Sequence, residues 1–122
     1  MGTNYYLQYR KDKESQIRET LHICKTSYGW TPSIQAYPEL ELNNWFEWIL
    51  FLKTKVNQLN GIIYNEYFDE ISVSKFIHYI IGKQQNGGKN HAEYMLKDIG
   101  IDKPDLNWVD NQGYSMSAQD FS

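Results

Sequence analysis

Hydrophobic and polar positions alternate with a period of two across residues 3–10: Tyr5, Leu7 and Tyr9 share one parity, and Asn4, Tyr6, Gln8 and Arg10 share the other. Successive side chains of an extended strand point to opposite faces, so this spacing predicts a β-strand with one buried face. A polar stretch, residues 11–19, separates it from a second alternating run at residues 20–25, and the two predict an antiparallel hairpin with a long mobile tip. Ser27-Tyr28-Gly29 supplies a turn, and residues 30–37 read as a third strand. Pro32 lacks an N–H and therefore fits only an edge, a strand start or a bulge there.

The period then changes to three and four. With Asn43 or Asn44 as N-cap, Trp45, Trp48, Ile49, Leu52, Val56 and Leu59 predict an amphipathic helix of about four turns, closed by Asn60-Gly61. Residues 62–67 are β-branched and aromatic and predict a further strand or extended segment packed beside the helix. Ser72 is the expected cap of a second helix with Phe76, Ile77, Ile80 and Ile81 on its apolar face, and Gly82 is its expected stop. Residues 84–90 hold Gly87-Gly88 among amides and lysines and read as a loop; Asn90 would cap a short helix reaching Lys97, with Gly100 beyond. Residues 107–122 predict one or two weak final strands. The fold class expected is α+β, a small antiparallel sheet packed against two main helices, in a single domain over residues 1–122.

Composition narrows the function classes. Hydrophobic residues are 41% and charged residues 22% of the chain, which marks a folded domain and not a disordered one. Cys24 is the single cysteine, so neither an intramolecular disulfide nor a four-thiolate zinc site can form, as suits a reducing cytosol. The start carries no secretory pattern, and no apolar run approaches the roughly 20 residues that span a bilayer, so the expectation is a cytoplasmic protein without a membrane partner. A formal charge of −3 with scattered basic residues disfavours nucleic acid. Aromatic residues reach 16%, which serves either ring-lined pockets and interfaces or a ring-filled core.

Two stretches carry a resemblance. Met1-Gly2-Thr3-Asn4-Tyr5-Tyr6 and Leu21-His22-Ile23-Cys24-Lys25-Thr26-Ser27-Tyr28-Gly29-Trp30, in that order, resemble a family of short, mostly uncharacterised bacteriophage and prophage proteins. In that family the second motif reads Leu-His-Ile-Gly-Lys-Ser-Ser-x-Gly-Trp, and an acidic-Glu-Tyr triplet follows the central helix, matched here by Asn65-Glu66-Tyr67. The chain departs from the pattern in two places. It lacks the Cys-x-x-Cys pair that many relatives carry at the tip of the first hairpin, and Cys24 stands where they have glycine. The resemblance implies a phage origin and no established activity; small phage accessory proteins often act in counter-defence.

The best candidate site is a cluster of His22, Lys25, Thr26 and Ser27 with Asn4, Tyr6 and Trp30, to which Glu66 is added. A cation, small hydroxyl donors and a ring for stacking are what a phosphate-bearing nucleotide requires. The same residues also suit a tight turn that satisfies its own backbone while Trp30 plugs the core. A phosphate-binding P-loop is excluded, because its glycines would have to stand at Glu19 and Cys24. His22-x-Cys24 would share one strand face as a metal-ligand pair, but no further ligands are assignable, and neither metal nor cofactor is expected. With no nucleophile elbow and no triad, the chain is read as a non-enzyme. The leading expectation is a counter-defence protein that sequesters a small nucleotide-type signal in an aromatic, basic pocket, as a homo-oligomer if pockets form between protomers. The alternative is an anti-CRISPR-like inhibitor that binds a host defence protein through Tyr6, Tyr28 and Tyr37, and a third reading is a small hydrolase using Glu66 and His22.

Overall fold

A computed structural model describes residues 2–86 and 107–118. The first alternating run forms β1 (Gly2–Arg10), paired antiparallel with β2 (Arg18–Ser27) as its spacing predicts. The tip between them is laced rather than open: Arg10 Nε donates to Ser15 O at 3.0 Å and its Nη2 to Lys13 O at 2.6 Å. Around this hairpin β3 (Ser33–Gln35), β4 (Ile62–Asn65), β5 (Glu70–Ile71), β6 (Asn107–Val109) and β7 (Ser115–Ser117) complete a sheet ordered β5-β4-β1-β2-β3-β7-β6. Only the β3–β7 pairing is parallel among the described strands. Pro32 immediately precedes β3 and is fully buried, so it occupies a strand start, where its missing N–H breaks no ladder bond.

The first helix, α1 (Trp45–Gln58), begins as predicted. Asn44 Oδ1 accepts the Glu47 N–H at 2.8 Å, and Glu47 Oε1 in turn accepts the Asn43 N–H at 2.8 Å. It ends where Asn60 adopts a left-handed φ of 52°. The second helix, α2 (Val73–Asn86), is capped by Ser72, whose Oγ accepts the Lys75 N–H at 3.2 Å. It does not stop at Gly82 as the sequence suggested. A helical glycine weakens a helix by about 1 kcal/mol without ending it, and this last turn is anchored, because Gln84 Nε2 donates to Gly113 O at 2.9 Å. Gln84–Asn86 are therefore helix and not loop, while the rest of the expected loop and the short helix after Asn90 lie outside the described residues.

Both helices cover the face that carries Tyr5, Leu7 and Tyr9. Tyr5 packs its ring 5.2 Å from Phe76 of α2, and Tyr9 sits 5.8 Å edge-on to Phe51 of α1. Trp45, Trp48 and Leu52 from α1 and Phe76 and Ile80 from α2 close over Ile23, Ile34 and Ile63, all of them essentially inaccessible. Each such side chain contributes roughly 1.5–3 kcal/mol by leaving water. Trp48 keeps its polar handle satisfied by donating Nε1–H to Gln35 O at 2.7 Å. Among the described residues no helix is long and apolar enough to cross a membrane.

One irregularity decides how the site is laid out. The β1–β2 register shifts between Tyr5 and Tyr6, so Tyr5 faces Cys24 while Tyr6 faces His22, and Ile23 bulges between them. His22 and Cys24 consequently point to opposite faces, which removes the shared-face metal pair expected from their spacing. The His22 N–H at the bulge is satisfied by the Tyr37 hydroxyl at 3.0 Å.

Candidate functional site

The eight residues expected to form one site fall into two groups on opposite faces of the sheet. Strand parity is the reason: Lys25 is the cross-strand partner of Asn4, and Thr26, next along the chain, must point the other way. Asn4, Tyr6, His22 and Lys25, joined by Glu66 at the turn after β4, make up the first group. Thr26 is buried against α2, with its Oγ1 3.4 Å from the Tyr79 hydroxyl. Trp30 lies toward α2 as well, whereas Ser27, two positions from Lys25, shares the face of the first group beside Gly2.

The first group is committed to holding strands together. His22 is buried, with Nε2 2.9 Å from Asn4 Oδ1 and Nδ1 3.4 Å from Gln35 Oε1. The Asn4 N–H donates to Glu66 Oε1 at 2.7 Å, and the Glu66 N–H returns to Asn4 O at 3.0 Å. Glu66 is thus an exposed clamp in the turn that follows β4, whereas the sequence placed it on a strand running to residue 67. Gly2 has a packing reason too: a Cβ there would stand 2.7 Å from Thr26 O and 2.7 Å from Lys25 Cε.

Of the three rings expected to be exposed, Tyr28 is 94% exposed, but Tyr6 and Tyr37 are half-buried. Tyr6 stacks on Tyr64 at 5.6 Å, and Tyr64 stacks on Phe68 at 5.9 Å. Tyr37 lies edge-on to Trp48 and uses its hydroxyl at His22. The sequence reading missed the exposed pair Tyr67 and Phe68. They are presented by a turn in which Asn65 Oδ1 accepts the N–H groups of Tyr67 at 2.8 Å and Asp69 at 3.0 Å.

Of the eight expected residues Trp30 alone lines a cleft of about 370 Å³ between the Tyr28-Gly29-Trp30 turn and α2. That is within the roughly 300–1,000 Å³ of small-molecule sites. Gly29 takes a φ of 82°, which turns the chain sharply between the two rings. From α2, Tyr79 faces them, and Lys83 lies with its Nζ 5.9 Å from the Tyr79 ring centroid. His78 and Asn86 add polar groups, and Gly82 forms the bare floor, with no described residue within 4 Å of where a Cβ would stand. None of the described residues lining it is an acid. Such a site can stack a planar ring and give hydrogen bonds to an anion.

Nucleophilic chemistry has little to work with. Burial pushes the Cys24 thiol far up, keeping it protonated within the core. Burial also raises Tyr5 and Tyr114, and raises Tyr9 to about 12 with help from its hydrogen bond to Glu19. No three His, Cys, Asp or Glu side chains gather as a metal set among the described residues.

Against known protein families, characterised proteins and solved structures, the chain gives no match. The cleft's chemistry therefore has to be argued from its own residues. Gly82 is the residue that sequence reasoning misassigned: the apolar periodicity ends at Ile81 and residues 83–86 are polar, so nothing local distinguishes a helical glycine from a stop there.

Proposed function

We propose that this protein binds a small nucleotide-type molecule in the cleft between the Tyr28-Gly29-Trp30 turn and α2, and holds it without turnover. The observation that carries this reading is the bare floor at Gly82. It sets Tyr28, Trp30 and Tyr79 around an opening with Lys83 and His78 at hand. A base stacks on the rings, and phosphate oxygens accept from Lys83. The role we assign is sequestration of a host signalling nucleotide by a phage protein in the cytoplasm of the infected cell, supported by the two phage-like motifs. Calorimetry against a panel of cyclic and linear signalling nucleotides tests it. Binding should weaken at least tenfold in Lys83→Gln, and absence of heat with every nucleotide at high protein concentration would refute it.

A second reading has its own observation. Tyr67 and Phe68 are 68% and 81% exposed on a hydrogen-bonded turn, and Phe68 holds a left-handed φ of 65° that an aromatic residue adopts at a cost. Exposed rings on a rigid turn suit an interface anchor of an inhibitor of a host defence protein. In a pull-down from host lysate, a stoichiometric partner lost on Phe68→Asn, with no nucleotide bound, would favour this reading over the first.

A further inference from the structure

The other side of α2 holds two buried polar groups with no partner among the described residues. At about 100° per residue, Ile81 and Gln84 project well away from Gly82 and Lys83, so they line a different space. There α1, α2 and the β6–β7 turn enclose a groove of about 360 Å³. Trp45, 1% exposed, stacks on Tyr114 at 5.5 Å, and its indole Nε1–H has no hydrogen-bond partner among the described residues. Gln84 lines the same groove, and its buried Oε1 has no partner among the described residues either. Its amide is not free to turn round, because Nε2 donates to Gly113 O at 2.9 Å. A buried polar group left unpaired destabilises the fold, a penalty that a guest with the matching groups would remove.

We propose that this groove is a binding site for a small planar molecule that carries, on one edge, an acceptor beside an N–H donor. The acceptor takes the Trp45 Nε1–H, the donor meets Gln84 Oε1, and Phe46, Ile49 and Ile81 supply apolar walls. A nucleobase edge and a primary carboxamide share this pattern. Both polar atoms are shielded from solvent, so the guest enters by displacing the exposed Gln85 and Gln112 side chains at the rim. The proposal does not rest on the cleft across α2, with which this groove shares no residue.

The test is a titration of the full chain with its tryptophans labelled with ¹⁵N, following the Trp45 indole N–H signal, which is assigned through Trp45→Phe. Adenine and cytosine form one arm, nicotinamide the other, and N,N-dimethylbenzamide, which lacks the donor, is the control. The indole proton should move downfield and saturate with at least one arm, and it should respond at least fivefold more weakly to the control. Trp45→Phe and Gln84→Met should each weaken the effective probe at least fivefold, measured by calorimetry. An indole signal that no probe moves, as for a groove that holds only water, overturns the proposal, and so does an equal response to the control. Because the titration uses the unmodified protein, it decides the matter even where a variant folds poorly.

Discussion

Replacing Gly82 separates stability from binding, because the two readings of this glycine predict opposite costs. Glycine inside a helix is about 0.8–1 kcal/mol worse than alanine, and Gly82 sits within Val73–Asn86 with ordinary negative φ. Among the described residues nothing lies within 4 Å of the position a Cβ would take, so Gly82→Ala meets no steric penalty from them. Its place near the helix end trims the expected gain to about 0.5–1 kcal/mol, or a rise of about 3–5 °C in Tm for a domain of this size. Gly82→Leu keeps a good helix former and fills the floor of the cleft. It should melt no lower than the wild type and bind nucleotide at least tenfold more weakly, about 1.4 kcal/mol. Thermal unfolding followed by circular dichroism, with calorimetry on the same samples, reads both quantities. If Gly82→Leu is stabilised and binds like the wild type, the ligand is not in this cleft. If Gly82→Ala melts lower, the space is filled and the inference from the bare floor is wrong.

Asp110 should prove one of the costliest polar residues to remove: its carboxylate accepts the N–H groups of Trp45, Gln112 and Tyr114, each at 2.9 Å, tying the β6–β7 turn to the first turn of α1. Asp110→Ala should cost about 2–3 kcal/mol in urea unfolding, and Asp110→Asn less. Alkaline pH should destabilise the fold, since the raised Cys24, Tyr5 and Tyr9 stay protonated in the folded chain while the unfolded chain ionises its thiol near 9 and its phenols near 10. The unfolded state then binds fewer protons, so stability falls as pH rises, by about 1.4 kcal/mol per pH unit for each such group, and Cys24→Ala should delay the onset seen by urea titration between pH 8 and 11. Gly2→Ala should lower Tm by several degrees, because the added methyl meets the Thr26 carbonyl; an unchanged Tm would show that the β1–β2 end yields freely. Glu66→Gln keeps an acceptor for the Asn4 N–H and should change stability by less than about 1 kcal/mol, whereas a nucleotide turnover abolished by this change would revive the hydrolase reading.

What was legible in the sequence was local. The β1–β2 hairpin, the Asn44 and Ser72 caps and the closing turn at Asn60 each depend on residues within a few positions of one another, so period and cap chemistry suffice to place them. The β3–β7 pairing joins segments some 80 positions apart, as in the 3.2 Å bond from Gln35 Nε2 to Ser117 O across 82 residues, and no local pattern announces it. The turn at Asp110-Asn111-Gln112-Gly113 carries a readable composition, yet the reach of its carboxylate to α1 is tertiary.

The candidate site failed as a single recess for a reason that parity alone contains. Lys25 and Thr26 are neighbours on a strand, so no pocket on one face can use both side chains. The bulge at Ile23 then separates His22 from Cys24 as well, and a one-residue irregularity of this kind has no reliable signature in a β-branched run. A strand that presents alternate residues to two environments divides its chemistry between them. Here the imidazole and the carboxylate go to the ladder of β1, β2 and β4, and the turn beyond β2 is left to meet α2. A ligand site on this fold therefore has to draw on residues from the turn and the helix together, which is why Gly82 and Lys83, more than fifty positions from Trp30, belong in it and the strand cluster does not.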